Sequence, residues 1–347
     1  PGRLRTFTIG YQDKTFSELD YAKHVADVFG TDHQVLMIDE MNEAAIEKSL
    51  WHLDEPMTDL SSIPLMFLCQ KAREHVTVCL SGEGGDEVFA GYDRFKASAI
   101  NHYYRMIPAF LREGVINNLA GRLADRPQKK GAVNMFKRFI EGAQLPEDGQ
   151  QLRWQYFSNP RLEQSLYADD FKKRVSMDPF AQIRDYNAKC TARDRVNREL
   201  YIDTRFMMAD SVLMKVDKMS MASALEIRVP LIDHKLVEYM ATIPGHLKLR
   251  GLETKHIFRK ALEGILPGEI IYRGKQGYSL PIKNLLRGQL KDYMIGLLNE
   301  SVMIRENFNV PFVQQLIHEH LSLKHNHNHV LWGLMNAAIW HRKFFNA

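Results

Sequence analysis

The apolar positions keep a strand period and then a helix period, in turn, through the first hundred residues. LRTFTIGY (4–11) reads as a strand. SELDYAKHVADVFG (17–30) sets Leu19, Ala22, Val25, Ala26 and Phe29 at helical spacing, with Ser17 placed to cap the start and Gly30 to end it. HQVLMI (33–38) predicts a second strand. A helix is expected over 41–55, ending at Pro56, and another over 61–75 with Pro64 in its first turn. VTVCL (76–80) predicts a third strand.

Strands separated by helices need crossover connections, and crossovers make a parallel sheet. Residues 1–99 are therefore expected to form an α/β layer of the doubly wound kind, with ligands beyond the carboxyl ends of the strands. That reading puts Ile9, Gly10 and Tyr11 on the same rim as Ser81, Gly82 and Glu83. From about residue 100 the strand pattern stops. NHYYRMIPAFLREGVINNLAGRL, the 196–225 region, VEYMATI, HIFRKALEGIL and LWGLMNAAIWHRKFF all predict helix, and 121–150 reads as a basic loop followed by a helix start. One domain over 1–347 is expected: a nucleotide-binding α/β part over 1–99 and a mainly helical part over 100–347.

The 347 residues are 45% hydrophobic and 25% charged, the composition of a globular protein, and no internal repeat is present. Net charge is +4, compatible with anionic substrates and too small to argue for nucleic acid. Cys69, Cys79 and Cys190 are widely spaced and contain no CxxC pair, which favours a reducing, cytoplasmic setting. No apolar run approaches the ~18 residues of a membrane span, and no signal peptide opens the chain. Neither a nucleic acid nor a membrane is expected as a partner. The chain starts Pro1-Gly2-Arg3-Leu4 without an initiator Met, so it is expected to be cut from something longer.

Candidate chemistry lies mainly in four stretches. LSGEGGDEVFAGYDRF (80–95) puts Glu83, Asp86 and Glu87 in a glycine-rich turn directly after the third strand. It lacks the Gly-Lys-Ser/Thr end of a phosphate loop, and Glu87 stands where GxGxxG needs its third Gly. Acids there suit a Mg²⁺ ligand or a general acid/base, while a solvated turn starting a helix fits as well. KVDKMSMASALEIRVPLIDHKLVEYM (215–240) interleaves Asp217, Lys218, Glu226, Arg228 and Asp233 with apolar residues, and the buried Glu226–Arg228 network expected there fits a structural role as well as a catalytic one. Its Arg-Val-Pro-Leu segment reads as an extended exit from a helix. In GLETKHIFRKALEGILP (251–267), Lys255 and Arg259 are spaced to share a helix face, which usually means a solvated surface; opposite the acidic turn across a cleft they would stabilise phosphate. YRGKQGYSLPI (272–282) is a glycine-flanked turn with Arg273 and Lys275. Two weaker features are KHNHNHV, whose alternating His325, His327 and His329 would share a face only in a strand, and the basic stretch around Lys129, Lys130, Lys137 and Arg138, which reads as a solvated face.

Taken together, SGEGGDEVFAGYDRF, DKMSMASALEIRVPLIDHKLVEY, ETKHIFRKALEGILP and RGKQGYSLPI resemble, in order and spacing, the C-terminal synthetase domain of the asparagine synthetase family. DEPMTDLSSIP, upstream of the third strand, matches as well, and the resemblance covers nearly the whole chain. It implies an ATP-pyrophosphatase (adenine nucleotide α-hydrolase-like) parallel-sheet layer followed by helices. It also implies use of ATP and Mg²⁺ to adenylate the aspartate side chain, after which ammonia displaces AMP. The resemblance places Ile9, Ser81 and Gly82 at ATP, Asp86 at a Mg²⁺–pyrophosphate unit, and Glu83 and Lys255 in catalysis. Glu83 would assist adenylate formation and handle the proton of ammonia; Lys255 would stabilise charge on the pentavalent phosphorus and then on the tetrahedral intermediate. Asp217, Arg228, Arg259 and Lys275 fall in the substrate and phosphate vicinity.

Relatives that close β-lactam rings carry Tyr where Glu83 stands, so Glu83 points to amide formation between two molecules. The acidic stretch is also similar to amidotransferases of polysaccharide and peptide pathways, which keeps a cell-surface or peptide carboxylate as an alternative acceptor; an inactive truncated fragment is the other alternative. Two family parts are not in the sequence: the SGGxDS pyrophosphate loop, expected on a strand before residue 1, and the N-terminal glutaminase domain with its first-residue cysteine. The chain alone is therefore expected to be impaired, and a homodimer is a possible assembly.

Overall fold

A computed structural model describes residues 2–11, 17–38, 41–122, 132–153, 155–274 and 280–345. Strand β1 (Arg5–Gly10) pairs in parallel with β2 (Asp32–Met37), in register from Arg5 opposite Asp32 to Gly10 opposite Met37. Helix α1 (Leu19–Phe29) makes the crossover. Gly30 stops it in the left-handed conformation, φ 61°, where a side chain would be strained. Gly10 is required for a different reason: a Cβ there would lie 2.4 Å from Leu19 Cδ1 and 2.6 Å from Met37 Sδ.

Helix α2 (Glu43–Leu53) is capped by the Asn42 side chain, which accepts from the Ala45 N–H. Helix α3 (Ser62–Arg73) carries Pro64 in its first turn, where a missing N–H costs nothing. Strand β3 (Val78–Leu80) follows. It does not join β1 and β2. Its parallel partner is β4 (Glu226–Arg228), with Cys79 opposite Ile227, so the described residues form two two-stranded parallel sheets instead of one. The extended exit expected at Arg228 also pairs as a strand, so the strand pattern does not end at residue 100. Three residues are too few to show a period in sequence; β4 is identified by the strand it meets.

Helix α3 is shared by both sheets. Its Cys69 and Ala72 are buried with Leu225, and Phe7 of β1 packs there beside Cys79 and Ile227. Burial pushes the Cys69 thiol up to about 12, so it behaves as a small apolar side chain.

The main core gathers Ile9, most of the apolar face of α2, and the helices Lys291–Glu300, Val310–Leu321 and Asn328–Phe345. Each fully buried Leu, Ile or Met there contributes roughly 2 kcal/mol. The last of these helices also holds the segment that leads into α3. Trp332 donates its indole N–H to the Thr58 carbonyl at 3.2 Å, and Trp340 donates to that of Asp54 at 2.8 Å. Residues 54–58 are thus tied to the C-terminal helix, and Asp59 follows them directly.

Candidate active site

The acidic stretch folds as a tight reversal. Ser81 donates its backbone N–H to the Arg228 carbonyl at 2.9 Å, extending the β3–β4 ladder by one bond. Gly82 is open to solvent, and Gly84 takes φ 82°. Helix α4 (Gly85–Phe89) lasts five residues before Ala90 turns left-handed at φ 56°. A Cβ on Gly84 would fall 2.0 Å from Ile232 Cγ2, and one on Gly85 would fall 2.9 Å from Leu231 Cδ1. The glycines therefore let the turn lie against the Pro230–Ile232 segment. Two of the stretches singled out in sequence meet at this contact.

Beneath the turn is a polar anchor. Tyr92 donates its hydroxyl to buried Glu87, and the Arg94 guanidinium donates to Asp203 at 2.5 Å with both side chains buried. Arg94 also lies 4.5 Å from the centre of the Tyr92 ring. Burial pushes the Glu87 carboxyl above its ordinary range, and the Tyr92 hydrogen bond opposes that shift. This network consumes Glu87 and leaves Glu83 and Asp86 partly open to solvent.

Asp86 meets Lys255. Their Oδ1 and Nζ are 2.8 Å apart, and the side chains are 21% and 28% exposed. Lys255 sits just before the helix His256–Leu262 in a left-handed conformation, φ 55°. A non-glycine residue held there points to a backbone fixed by its surroundings. The consequence is that Lys255 and Arg259 do not share a helix face as expected. Arg259 is 3.9 Å from Glu253 and lies over the Tyr272 ring, while Lys255 reaches the acidic turn. Gly91 makes room for the pair: a Cβ there would be 1.9 Å from Asp86 Oδ1 and 2.2 Å from Lys255 Cε.

A second Lys–Asp pair lies deeper. Lys215, on the helix Met214–Met221, donates to Asp59 Oδ2 at 2.9 Å and to Ser61 Oγ at 2.7 Å. Ser61 returns its hydroxyl and its backbone N–H to Asp59 Oδ1 at 2.7 and 2.9 Å. Burial disfavours the Lys215 ammonium, but Asp59 and then Glu83 outweigh it, so its pKa is raised. Burial likewise acts on Asp59, and Lys215 with the Ser61 bonds holds its carboxyl below the usual range. Lys215 therefore links the start of α3 electrostatically to Glu83.

Asp86 and Lys255 are brought together, and Glu83 of the same turn faces Lys215, which in turn binds Asp59 and Ser61. Other expected site residues are elsewhere. Asp217 is exposed, about half a helical turn from Lys215. Arg228 and Glu226 do pair, at 2.7 Å, but on the surface with side chains 66% and 55% exposed, so the expected buried network is corrected. Three-residue β4 alternates faces, and both charges sit on its outward side. Ile9 is buried at the end of β1 in the main core. Lys275 lies outside the described residues. Lys215 was legible in principle: it is four residues before buried Met219, on the same helix face.

Among the described residues no group of three or more His, Cys, Asp or Glu side chains converges as a metal cage. A Mg²⁺ ion commonly takes only one or two protein carboxylates and completes its shell with phosphate and water. Asp86 suits that shared role and does not suit a site made by protein alone. The C-terminal histidines diverge: His327 bonds Glu319 at 2.8 Å, and His329 stacks on Phe157.

The family model described as asparagine synthase matches residues 1–342. The asparagine synthetase [glutamine-hydrolyzing] 1 of Bacillus subtilis is 31% identical over 345 residues, covering 97% of this chain and 52% of its own length. A putative asparagine synthetase [glutamine-hydrolyzing] of Mycobacterium bovis is 30% identical over 99% of this chain and 51% of its own. A putative asparagine synthetase [glutamine-hydrolyzing] 2 of Methanocaldococcus jannaschii is 41% identical across 39% of this chain and 25% of its own. The chain spans about half the length of the first two relatives.

Proposed function

We propose a function from one premise: the chain belongs to the asparagine synthase family. The protein of which it is part is an ATP-dependent ligase that activates the aspartate side-chain carboxylate and transfers ammonia to it. Carboxylate oxygen attacks the α-phosphorus of ATP, the bond to pyrophosphate breaks, and β-aspartyl-AMP forms. Ammonia then attacks the acyl carbon, loses a proton, and expels AMP to leave asparagine. A carboxylate is too poor an electrophile to react with ammonia directly, which is why the activation step is needed.

The observation that supports this reading most is the Lys255–Asp86 pair in the space that Gly91 leaves free. A preorganised cation is worth most where negative charge develops, first on phosphorus and then on the tetrahedral carbon. Lys255 takes that role. Glu83, three residues before Asp86, takes the ammonia proton. Asp86 would hold a Mg²⁺ ion, which would supply charge neutralisation on the leaving group when bound. Ser81 and Gly82 line the nucleotide, where an open glycine lets ATP approach the backbone; Ile9 lies on the adenine side. Asp217, Arg228 and Arg259 point away from the Lys255–Asp86 pair and are given no role, and Lys275 lies outside the described residues, while Lys215 and Ser61 join the site as groups that position α3 against Glu83. The two parallel sheets belong to an ATP-pyrophosphatase-type layer. Ammonia comes from glutamine in the whole protein, whose partners are small molecules.

The test is pyrophosphate release by the full-length protein with ATP, Mg²⁺ and ammonium, with and without aspartate. Aspartate-dependent release, abolished by Lys255→Met, is the expected result. Release that ignores aspartate overturns the substrate assignment.

A further inference from the structure

Lys255 keeps a backbone conformation that its own side chain disfavours. A non-glycine residue at φ 55° is strained, and it stays there only where the surroundings over-determine it. The residues on either side do so. Gly251, at φ 60°, lets the chain reverse so that Arg250 and Glu253 exchange both backbone bonds, at 2.9 and 3.0 Å. Beyond Lys255, the Arg259 N–H donates to the Lys255 carbonyl at 2.8 Å and opens the helix His256–Leu262. Thr254 and His256, the two neighbours of Lys255, are both buried.

One side-chain pair joins the turn to the helix across Lys255. His256 Nδ1 and Glu253 Oε2 are 2.8 Å apart. Arg250, which can only donate, lies 3.5 Å from His256 Nε2, so the imidazole carries its proton on Nδ1 and donates it to Glu253. The other Glu253 oxygen faces Arg259 at 3.9 Å. Glu253 therefore meets the helix at its first residue and again one turn along, with Lys255 looped out between. A pair that merely started the helix would not need this loop. The helix has no side-chain cap, and a right-handed Lys255 would simply lengthen it by one residue. That lysine would then lie on the same face as Arg259, cation beside cation, with its ammonium withdrawn from Asp86.

We propose, resting on the catalytic role of Lys255, that Glu253 and His256 are positioning residues for the reaction. Their hydrogen bond holds Lys255 left-handed and so aims its ammonium at Asp86 and at the charge that develops beside it.

The experiment has two readouts on the full-length protein. The first needs no turnover: acetylation of Lys255 by an amine-reactive ester, followed by peptide mass spectrometry. Pairing with Asp86 shields the ammonium, so His256→Leu and Glu253→Ala are expected to raise the labelling rate severalfold, as Asp86→Asn should. Glu253→Gln, which still accepts from His256, should label at the wild-type rate. The second readout is aspartate-dependent pyrophosphate release. In His256→Leu and Glu253→Ala, kcat is expected to fall about ten- to a hundredfold with the KM for ATP nearly unchanged, and Glu253→Gln should recover most of that loss. In a Lys255→Met background, His256→Leu should lower the residual rate no further, because the pair acts through Lys255. Wild-type labelling rates in both breaking variants overturn the proposal. So does a loss in the Lys255→Met background as large as in wild type, which would make the pair structural only. If release ignores aspartate while labelling shifts as described, the substrate reading fails and the positioning role stands.

Discussion

Two lysine–aspartate pairs stand side by side near the acidic turn, with nearly equal N–O distances, 2.8 Å for Lys255–Asp86 and 2.9 Å for Lys215–Asp59. Their surroundings differ. Lys215 is 8% exposed, donates to a hydroxyl as well as to its carboxylate, and sits in regular helix. Lys255 is half-open, sits in a left-handed turn, and its carboxylate partner lies in a loop shaped by glycines. A nearly buried lysine that holds a hydroxyl as well as its carboxylate is part of the architecture. An accessible pair held by a constrained backbone is available to a ligand. Equal distances thus conceal unequal roles, and burial and backbone conformation separate them.

The sharpest test of that contrast is Lys255→Met. Activity in the full-length protein is expected to fall about a thousandfold, near 4 kcal/mol of transition-state stabilisation, while the melting temperature scarcely moves. A large drop in melting temperature would break the comparison by making Lys255 structural. Lys215→Met is the complement: it leaves the partly buried Asp59 carboxylate without its cation and should cost about 1–3 kcal/mol in denaturant unfolding. Replacing both partners with apolar residues should recover much of that loss, because no unpaired charge remains.

Gly91→Ala should lie between the two. The added methyl displaces Asp86 or Lys255, so activity is expected to fall roughly ten- to a hundredfold, with a stability loss of about 1–2 kcal/mol. Equal activity in wild type and variant would show that the pair does not need its present geometry.

The smallest effect is one of pH. The Asp59 carboxyl is held below its ordinary 3.8, so its contribution is fully present above that value and is lost as pH falls through the lower folded pKa. Lys215 is held above its ordinary 10.5, so its contribution is present below that value and is lost as pH rises through the higher folded pKa. Wild type and Asp59→Asn should therefore differ in stability across the neutral range and converge in strong acid. His320 gives a separate internal control. Burial drives its imidazole down to about 4, so stability falls as pH drops from 6.5 towards 4, and His320→Gln should remove that slope without touching the Asp59 limb.

Sequence by itself determined a good deal of this protein. The two long strands, the helices that follow them, the Gly30 stop and the Pro64 start all depend on periodicity and caps within one element, and each appears within a few residues of where the pattern put it. The residue types of the acidic turn were equally legible, since glycines beside carboxylates after a strand suit only a few kinds of chemistry.

Tertiary structure decided what those residues touch. Strand β4 exists because β3 is beside it, across nearly 150 residues of chain. Lys215 rather than Asp217 faces the turn because one side of its helix is buried against α2 and α3, and helix period alone could not say which side. Arg259 is turned away because Lys255 steps out of the helix before it begins. Gly91 is needed at its position because of Asp86 beside it and a lysine that lies 164 positions later. Local pattern reports the energies of neighbours in sequence. Strand pairing, buried ion pairs and close backbone approach are set by neighbours in space, and these are what assemble the site.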